Sequence, residues 1–297
     1  MTPPRQITPA SLFEVDIRAM SRQFRFPPSA RMNQLLRYLC AVAAEKYGIA
    51  IYAFVVMGNH FHLIGFDADG LLPDFMCYLN GLIARSVNSM QARKDKLWSG
   101  EGYNLLRPQT NEDLWARMEY VLSNPLAADL VETLNDYPGV ASRARDYGVD
   151  IVIKRPDWFF GPKSVMPAEA TLRFVVPPQL GLTDAEFRSE LVCRMERNEA
   201  YHRRRRRDAG RAVLGLKRLR QMRVGDVPKS RERWFQLRPA IAAKNKQIRM
   251  AAIQALKAFR DGYRAALQRW RSGELDAEFP SGTWWMVRFA GALAVPS

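Results

Sequence analysis

The sequence predicts an α+β fold: an antiparallel or mixed sheet with helices on one face, followed by a basic, mainly helical region. Three observations carry that expectation. The first half alternates strand-like and helix-like segments, a proline-rich stretch interrupts the pattern, and the excess positive charge is confined to one later stretch.

Residues 12–17 alternate apolar and polar side chains, the period-2 pattern of a half-buried strand. Pro27-Pro28 then introduces a helix over 30–47, in which Met32, Leu35, Leu36, Leu39 and Val42 recur at helical spacing and Gly48 supplies the stop. Two apolar runs, 51–56 and 60–66, read as strands broken by the turn pair Gly58-Asn59. A loop over 67–70 leads into a second helix at 73–91, and a short strand is placed around 103–108. A third helix runs over 112–122 and is stopped by Asn124-Pro125. This order describes a ferredoxin-like antiparallel sheet, with a first domain over 7–147. Residues 148–180, with Pro156, Pro162, Pro167, Pro177 and Pro178, read as a connector. The region 181–297 is expected to be basic and helical, with helices over 183–223 and 238–271 and with Trp284 and Trp285 closing an apolar core.

Composition narrows the classes. At 297 residues, 47% hydrophobic and 25% charged, the chain matches an ordinary globular protein. Cys40, Cys77 and Cys193 show no CxxC spacing and suggest three buried thiols in a reducing compartment. No apolar run reaches the roughly 18–20 residues of a membrane span, and the first residues lack a signal core, so a cytoplasmic protein is expected. The net charge is +15, and residues 201–261 hold nineteen Lys or Arg against four Asp or Glu, so the remainder is neutral. A concentrated positive field of this kind most often meets a nucleic acid.

His60-Phe61-His62 lies within one of the strand-like runs. Side chains at i and i+2 of a strand share a face, so both imidazoles point the same way, a natural start to a divalent-metal site. On its own the pattern is weak. The third helix adds Tyr120 and Asn124, four residues apart and therefore on one helix face. A tyrosine hydroxyl with a pKa near 10 becomes a useful nucleophile toward phosphate when a metal polarises the target. Asn124 suits two compatible roles, an amide ligand to such a metal and a helix-ending residue before Pro125.

Taken together, Met57-Gly58-Asn59-His60-Phe61-His62-Leu63 and Tyr120-Val121-Leu122-Ser123-Asn124-Pro125 resemble the signatures of HUH-type single-tyrosine transposases, and more closely their REP-associated branch. The likeness covers about residues 10–145 and includes Ala127-Ala128-Asp129-Leu130-Val131 and the segment 136–142. It implies that His60, His62 and Asn124 bind Mg²⁺ or Mn²⁺. It further implies that Tyr120 attacks a single-stranded DNA phosphate near a hairpin, leaving a 5′-phosphotyrosine link and a free 3′-hydroxyl. Arg85 and Asn88 lie where relatives carry polar DNA-facing residues. Two features depart from the family pattern: Gly58 stands where many relatives have proline, and the first strand carries the acids Glu14 and Asp16.

Other nucleic-acid contacts are candidates from the residues themselves. Trp98, following Lys94-Asp95-Lys96, suits base stacking and a core anchor equally well. The run Arg203, Arg204, Arg205, Arg206 and Arg207 suits phosphate contact, and His202 beside it reads as part of the same solvated basic face. The resulting expectation is a nucleoid-associated, metal-dependent DNA strand transferase acting on single-stranded or hairpin DNA as a monomer or homodimer. The alternatives are a non-catalytic hairpin DNA- or RNA-binding protein that keeps the fold, and a metal-dependent hydrolase that uses water in place of Tyr120.

Overall fold

The structure, a computed structural model, describes residues 3–100, 102–230 and 238–296. Strand β1 (Ser11–Arg18) is followed by helix α1 (Ala30–Tyr47), the hairpin β2 (Ile49–Met57) and β3 (His60–Asp67), helix α2 (Leu72–Met90) and strand β4 (Asn104–Pro108). These strands lie in the order β2-β3-β1-β4, every neighbouring pair antiparallel. The ferredoxin-like sheet expected from the sequence is therefore present.

Local chemistry explains the elements. The Ser29 side chain accepts from the Met32 amide to cap α1, and Gly48, at φ 62°, ends that helix in the left-handed region where a Cβ would be strained. The Asp67 carboxylate accepts from the amides of Leu71 and Leu72, covering the first turn of α2. Phe13, Val15 and Ile17 of β1 and Phe61 and Leu63 of β3 are buried on one face, beneath the paired helices α1 and α2. The alternate residues Glu14, Asp16, His60 and His62 turn to the other face, since the register sets Asp16 opposite His62 and Arg18 opposite His60.

Helix α3 (Asn111–Leu122) lies over that second face, with Arg117 against Glu14 and Tyr120 against His62. A single turn, α4 (Asn124–Ala127), follows it directly. Asn124 begins this turn, so the helical path continues with a break at Ser123.

The proline-rich stretch departs from the irregular connector expected of it. It carries an antiparallel pair, β5 (Asp150–Lys154) and β6 (Glu169–Arg173), packed on α1. Short alternating runs such as Ile151-Val152-Ile153 were masked by the density of prolines around them. The basic region is also more broken than its composition suggests. It forms α5 (Asp184–Asp208), a short α6 (Gly215–Arg220), the two-residue strand β7 (Ile241–Ala242) and α7 (Lys246–Arg271), with a final α8 (Trp285–Ala290). Strand β7 extends the main sheet in parallel beside the end of β4.

Helix α5 leans on the outer side of α3. The rings of Phe187 and Trp115 stack at 4.9 Å, and Arg194 binds Glu119 at 2.6 Å while lying over Trp115. One apolar core runs from Ile7 through Leu219, and a second cluster of Ala266, Phe279, Met286 and Ala292 joins α7 to α8. Trp284 packs against the larger core, but Trp285 is exposed, contrary to expectation. Of the three thiols only Cys40 is buried, and Cys77 and Cys193 are exposed. Among the described residues no helix is long and apolar enough to cross a membrane.

Candidate active site

The polar face of β1 and β3, with α3 laid across it, brings together both histidines and Tyr120. The imidazoles of His60 and His62 lie 5.1 Å apart between ring centres, and the Tyr120 ring meets His62 edge-on at 5.9 Å. Tyr120 is 49% exposed, so a large substrate can reach its hydroxyl. All three groups come from one chain.

The hairpin turn fixes His60. The Asn59 amide nitrogen donates to the Arg22 carbonyl at 2.9 Å, which leaves Asn59 Oδ1 as an acceptor, and His60 Nδ1 lies 2.7 Å from it. The proton of a neutral His60 therefore sits on Nδ1, and Nε2 keeps its lone pair. Burial, with the neighbouring His62 and Arg18, holds the His60 imidazole well below its usual pKa, so the ring is neutral near pH 7. Gly58 has a packing reason at this turn. A Cβ there would lie 2.8 Å from Met222 Sδ and 3.0 Å from the Phe24 ring, so glycine at this turn is matched by close packing of Met222 from the basic region.

His62 is buried, and its Nδ1 makes no hydrogen bond; the nearest acceptor is Glu14 Oε1 at 3.7 Å. Glu14 is itself buried and receives two bonds from Arg117, at 2.5 and 2.8 Å. Burial pushes the Glu14 carboxyl up, but the bonds from Arg117 and the proximity of His62 outweigh it and leave the group below the usual carboxylate range. Arg117 also lies 4.1 Å over the Tyr120 ring. The Tyr120 phenol is raised by burial, partly offset by the Arg117 cation and reinforced by Glu14 and Asp16.

Asn124 follows Tyr120 by one turn. Its amide nitrogen donates to the carbonyls of Tyr120 and Val121, at 3.1 and 3.2 Å, so its oxygen is the free end. The chemistry of His60 Nε2, the His62 imidazole and the Asn124 amide oxygen suits a divalent ion. Among the described residues no group of three His, Cys, Asp or Glu side chains is arranged to hold a metal. A third protein donor from a side-chain amide is what such a site would require.

The remaining candidates are placed elsewhere. Arg85 is exposed on α2, across the sheet from His62. Asn88 spends both ends of its amide, accepting from the buried Arg25 at 2.6 Å and donating to the Asp95 carbonyl at 2.7 Å. Trp98 donates its indole N–H to the Asn80 carbonyl at 2.9 Å and packs against Phe26 and Phe61. In the arginine run, Arg206 is buried between Asp129 and Glu132, Arg205 binds Asp129, and Arg203 reaches Glu132. Arg203, Arg204 and Arg207 are exposed, as the sequence suggested, with Glu132 beside Arg203 and Asp208 beside Arg204. His202, expected on a solvated face, is buried.

Of two further residues central to this site, Arg117 was not singled out from the sequence, and Glu14 was noted there only as an acid of the first strand. Arg117 stands three residues before Tyr120, on the same helix face, and Glu14 falls on the polar face of β1. The spacing signal existed for both, but their pairing is set by tertiary structure.

No protein-family model matches the chain, and neither does any curated protein. Solved structures similar to it in part include these two. A REP-associated tyrosine transposase bound to a REP hairpin is 17% identical, over 48% of this chain and 82% of its own, with a TM-score of 0.41. A Deinococcus radiodurans protein described as a transposase is 20% identical, over 42% of this chain and 97% of its own, with a TM-score of 0.29. These likenesses are partial, and the chemistry has to be read from the residues.

Proposed function

We propose that the chain is a metal-dependent tyrosine strand transferase acting on single-stranded DNA with structured ends. The observation that carries this reading is the meeting, within one chain, of the exposed Tyr120 with His62 at 5.9 Å, His60 lying 5.1 Å further along the same strand face.

His60, His62 and Asn124 would hold the metal, which when bound supplies charge neutralisation to the attacked phosphate. Tyr120 Oη attacks phosphorus, its O–P bond forms as the P–O3′ bond breaks, and the departing 3′-oxygen takes up a proton. The 5′ end stays on Tyr120, and a later attack by a 3′-hydroxyl reverses the exchange without an energy-rich cofactor. The raised pKa of the phenol keeps its proton in place at neutral pH, so deprotonation accompanies attack. The Arg117 cation over the ring favours the phenolate that develops, and α3 fixes nucleophile and amide donor on one rigid element.

A non-catalytic binder would be favoured by acids on the DNA-facing strand. Glu14 does not support it, since Arg117 neutralises that charge in the interior. The reading is tested by incubating the protein and Mn²⁺ with labelled single-stranded oligonucleotides tiling the flanks of its own gene. A denaturing gel should show a protein–DNA adduct with wild type and none with Tyr120→Phe or His60→Ala. Cleavage that survives Tyr120→Phe would point to water as the nucleophile, and binding without cleavage by all three would point to the non-catalytic protein.

A further inference from the structure

Two strands away from His62, the outer edge of β4 opens into a cavity of about 790 Å³. The first half of β4 has no outer strand partner among the described residues, because β7 pairs only with Arg107 and Pro108. Four arginines line the cavity, from three separate parts of the chain: Arg5 on the N-terminal arm, Arg107 on β4, and Arg238 and Arg260 from the basic region. None of the described lining residues is acidic.

Among the described residues, Arg5, Arg107 and Arg260 have no carboxylate within ion-pair distance. Arg107 instead donates to the Gln6 carbonyl and the Thr8 hydroxyl, and Arg5 donates to the Tyr103 carbonyl while lying 4.0 Å over the Tyr103 ring. Arg260 Nε is buried and has no hydrogen-bond partner. Burial lowers the Arg107 pKa, and the Asp67 carboxylate and Tyr103 offset it only in part. An anion seated among these partly buried guanidinium groups would satisfy Arg260 Nε and supply a counter-charge at close range.

A hydrogen bond ties the rim of the cavity to the strand that faces the candidate active site. Asn104, on its rim, donates to Asp16 at 3.2 Å, and Asp16 stands opposite His62 in the sheet. Two strand spacings put the cavity about 10 Å from His62, a span that a short single strand covers.

We propose that this cavity seats a nucleotide of the single DNA strand that flanks the scissile position, its phosphate held by Arg5, Arg107 and Arg260 and its base beside Tyr103. The inference rests on the strand-transferase reading for its ligand. It gives the basic region a function in the site itself, since α7 forms one wall. Guanidinium groups in a fork suit phosphate oxygens, and an aromatic wall accepts any base.

The experiment uses the full chain and a short mixed-sequence oligodeoxynucleotide. Affinity is measured by fluorescence anisotropy over a salt titration, with the Arg5→Gln/Arg260→Gln double variant set against Lys154→Gln/Lys163→Gln, which removes the same charge from the exposed β5–β6 hairpin. The cavity variant should bind more weakly and lower the log–log salt slope by at most about 0.7, the value for one phosphate neutralised on a single strand; the hairpin variant should match wild type. An iododeoxyuridine-substituted oligonucleotide should photocrosslink to the peptide that contains Tyr103. Equal losses in the two double variants, or no loss with crosslinks mapping elsewhere, would overturn the inference. Absence of a tyrosine adduct with the Tyr103 crosslink intact would instead fault the catalytic reading and leave the cavity standing as a binding site.

Discussion

The Arg117 guanidinium lies 4.1 Å over the ring of Tyr120 and in the same pose holds the buried Glu14 through two nitrogens. One side chain thus links the candidate nucleophile to the carboxylate nearest His62. Because Glu14 has almost no contact with solvent, Arg117 carries most of the compensation for its charge.

Arg117→Met should therefore destabilise the fold by about 3 kcal/mol, the low end for breaking a buried pair, since Arg117 is itself partly exposed. Adding Glu14→Gln removes the stranded charge and should recover most of that loss. Urea denaturation of the single and double variants measures both effects. A double variant no more stable than Arg117→Met would mean that packing of the arginine against Tyr120 matters more than charge.

Asn59 should matter to metal binding without touching the metal. Its Oδ1 holds the proton of His60 on Nδ1, which presents Nε2 as the donor. Outer partners of this kind are worth roughly tenfold or more in affinity. Asn59→Ala should weaken Mn²⁺ binding by about that factor in calorimetry, with His60→Ala weaker still. Unchanged Mn²⁺ affinity in Asn59→Ala would mean that His60 does not bind through Nε2.

Trp98 separates packing from recognition. Its indole fills space between Phe26 and Phe61 and satisfies the Asn80 carbonyl. Trp98→Ala should cost about 3 kcal/mol of stability and leave the salt slope for single-stranded DNA unchanged. A normal melting curve with weaker DNA binding would restore Trp98 to the interface.

The strand and helix order of the first half was legible because the signals are local. Period-2 alternation in β1, helical spacing in α1 and the Gly58-Asn59 turn are written within a few residues each. The same holds for His60, His62 and Tyr120, whose faces follow from strand and helix periods. What could not be read was pairing across distance. Nothing near Glu14 announces Arg117, and nothing in the arginine run shows that Asp129 and Glu132 would fold against it. Charge density alone made all five arginines look alike, yet tertiary contacts bury one and leave others in water. Trp98 was ambiguous for the same reason: a tryptophan among cations is described equally well by two environments.

The arginine run should accordingly split under mutation. Arg206, with its side chain 2% exposed and bound to Glu132 and Asp129, should cost about 2 kcal/mol when changed to Met, less than a fully interior pair because Glu132 is half in water. Arg204→Met should leave stability unchanged within about 0.5 kcal/mol, as an exposed i,i+4 pair with Asp208 implies. Equal melting temperatures for the two variants would contradict the buried placement of Arg206.

His202 gives the protein a pH dependence away from the candidate metal site. It is buried beside Arg205, Arg206 and Asp129. Burial lowers its pKa, the two arginines lower it further, and the Asp129 carboxylate opposes them in part. The unfolded chain, with His202 near the ordinary value of about 6.5, therefore takes up a proton before the folded one does. Its contribution to stability is fully present above about pH 6.5 and is lost as pH falls toward the folded pKa, by at most about 1.4 kcal/mol per pH unit. His202→Gln removes this term, so the difference in unfolding free energy between wild type and variant should shrink or change sign as pH falls from neutrality toward 5. A difference that stays constant across that range would mean that His202 titrates alike in both states, and that its burial is relieved by contacts with water.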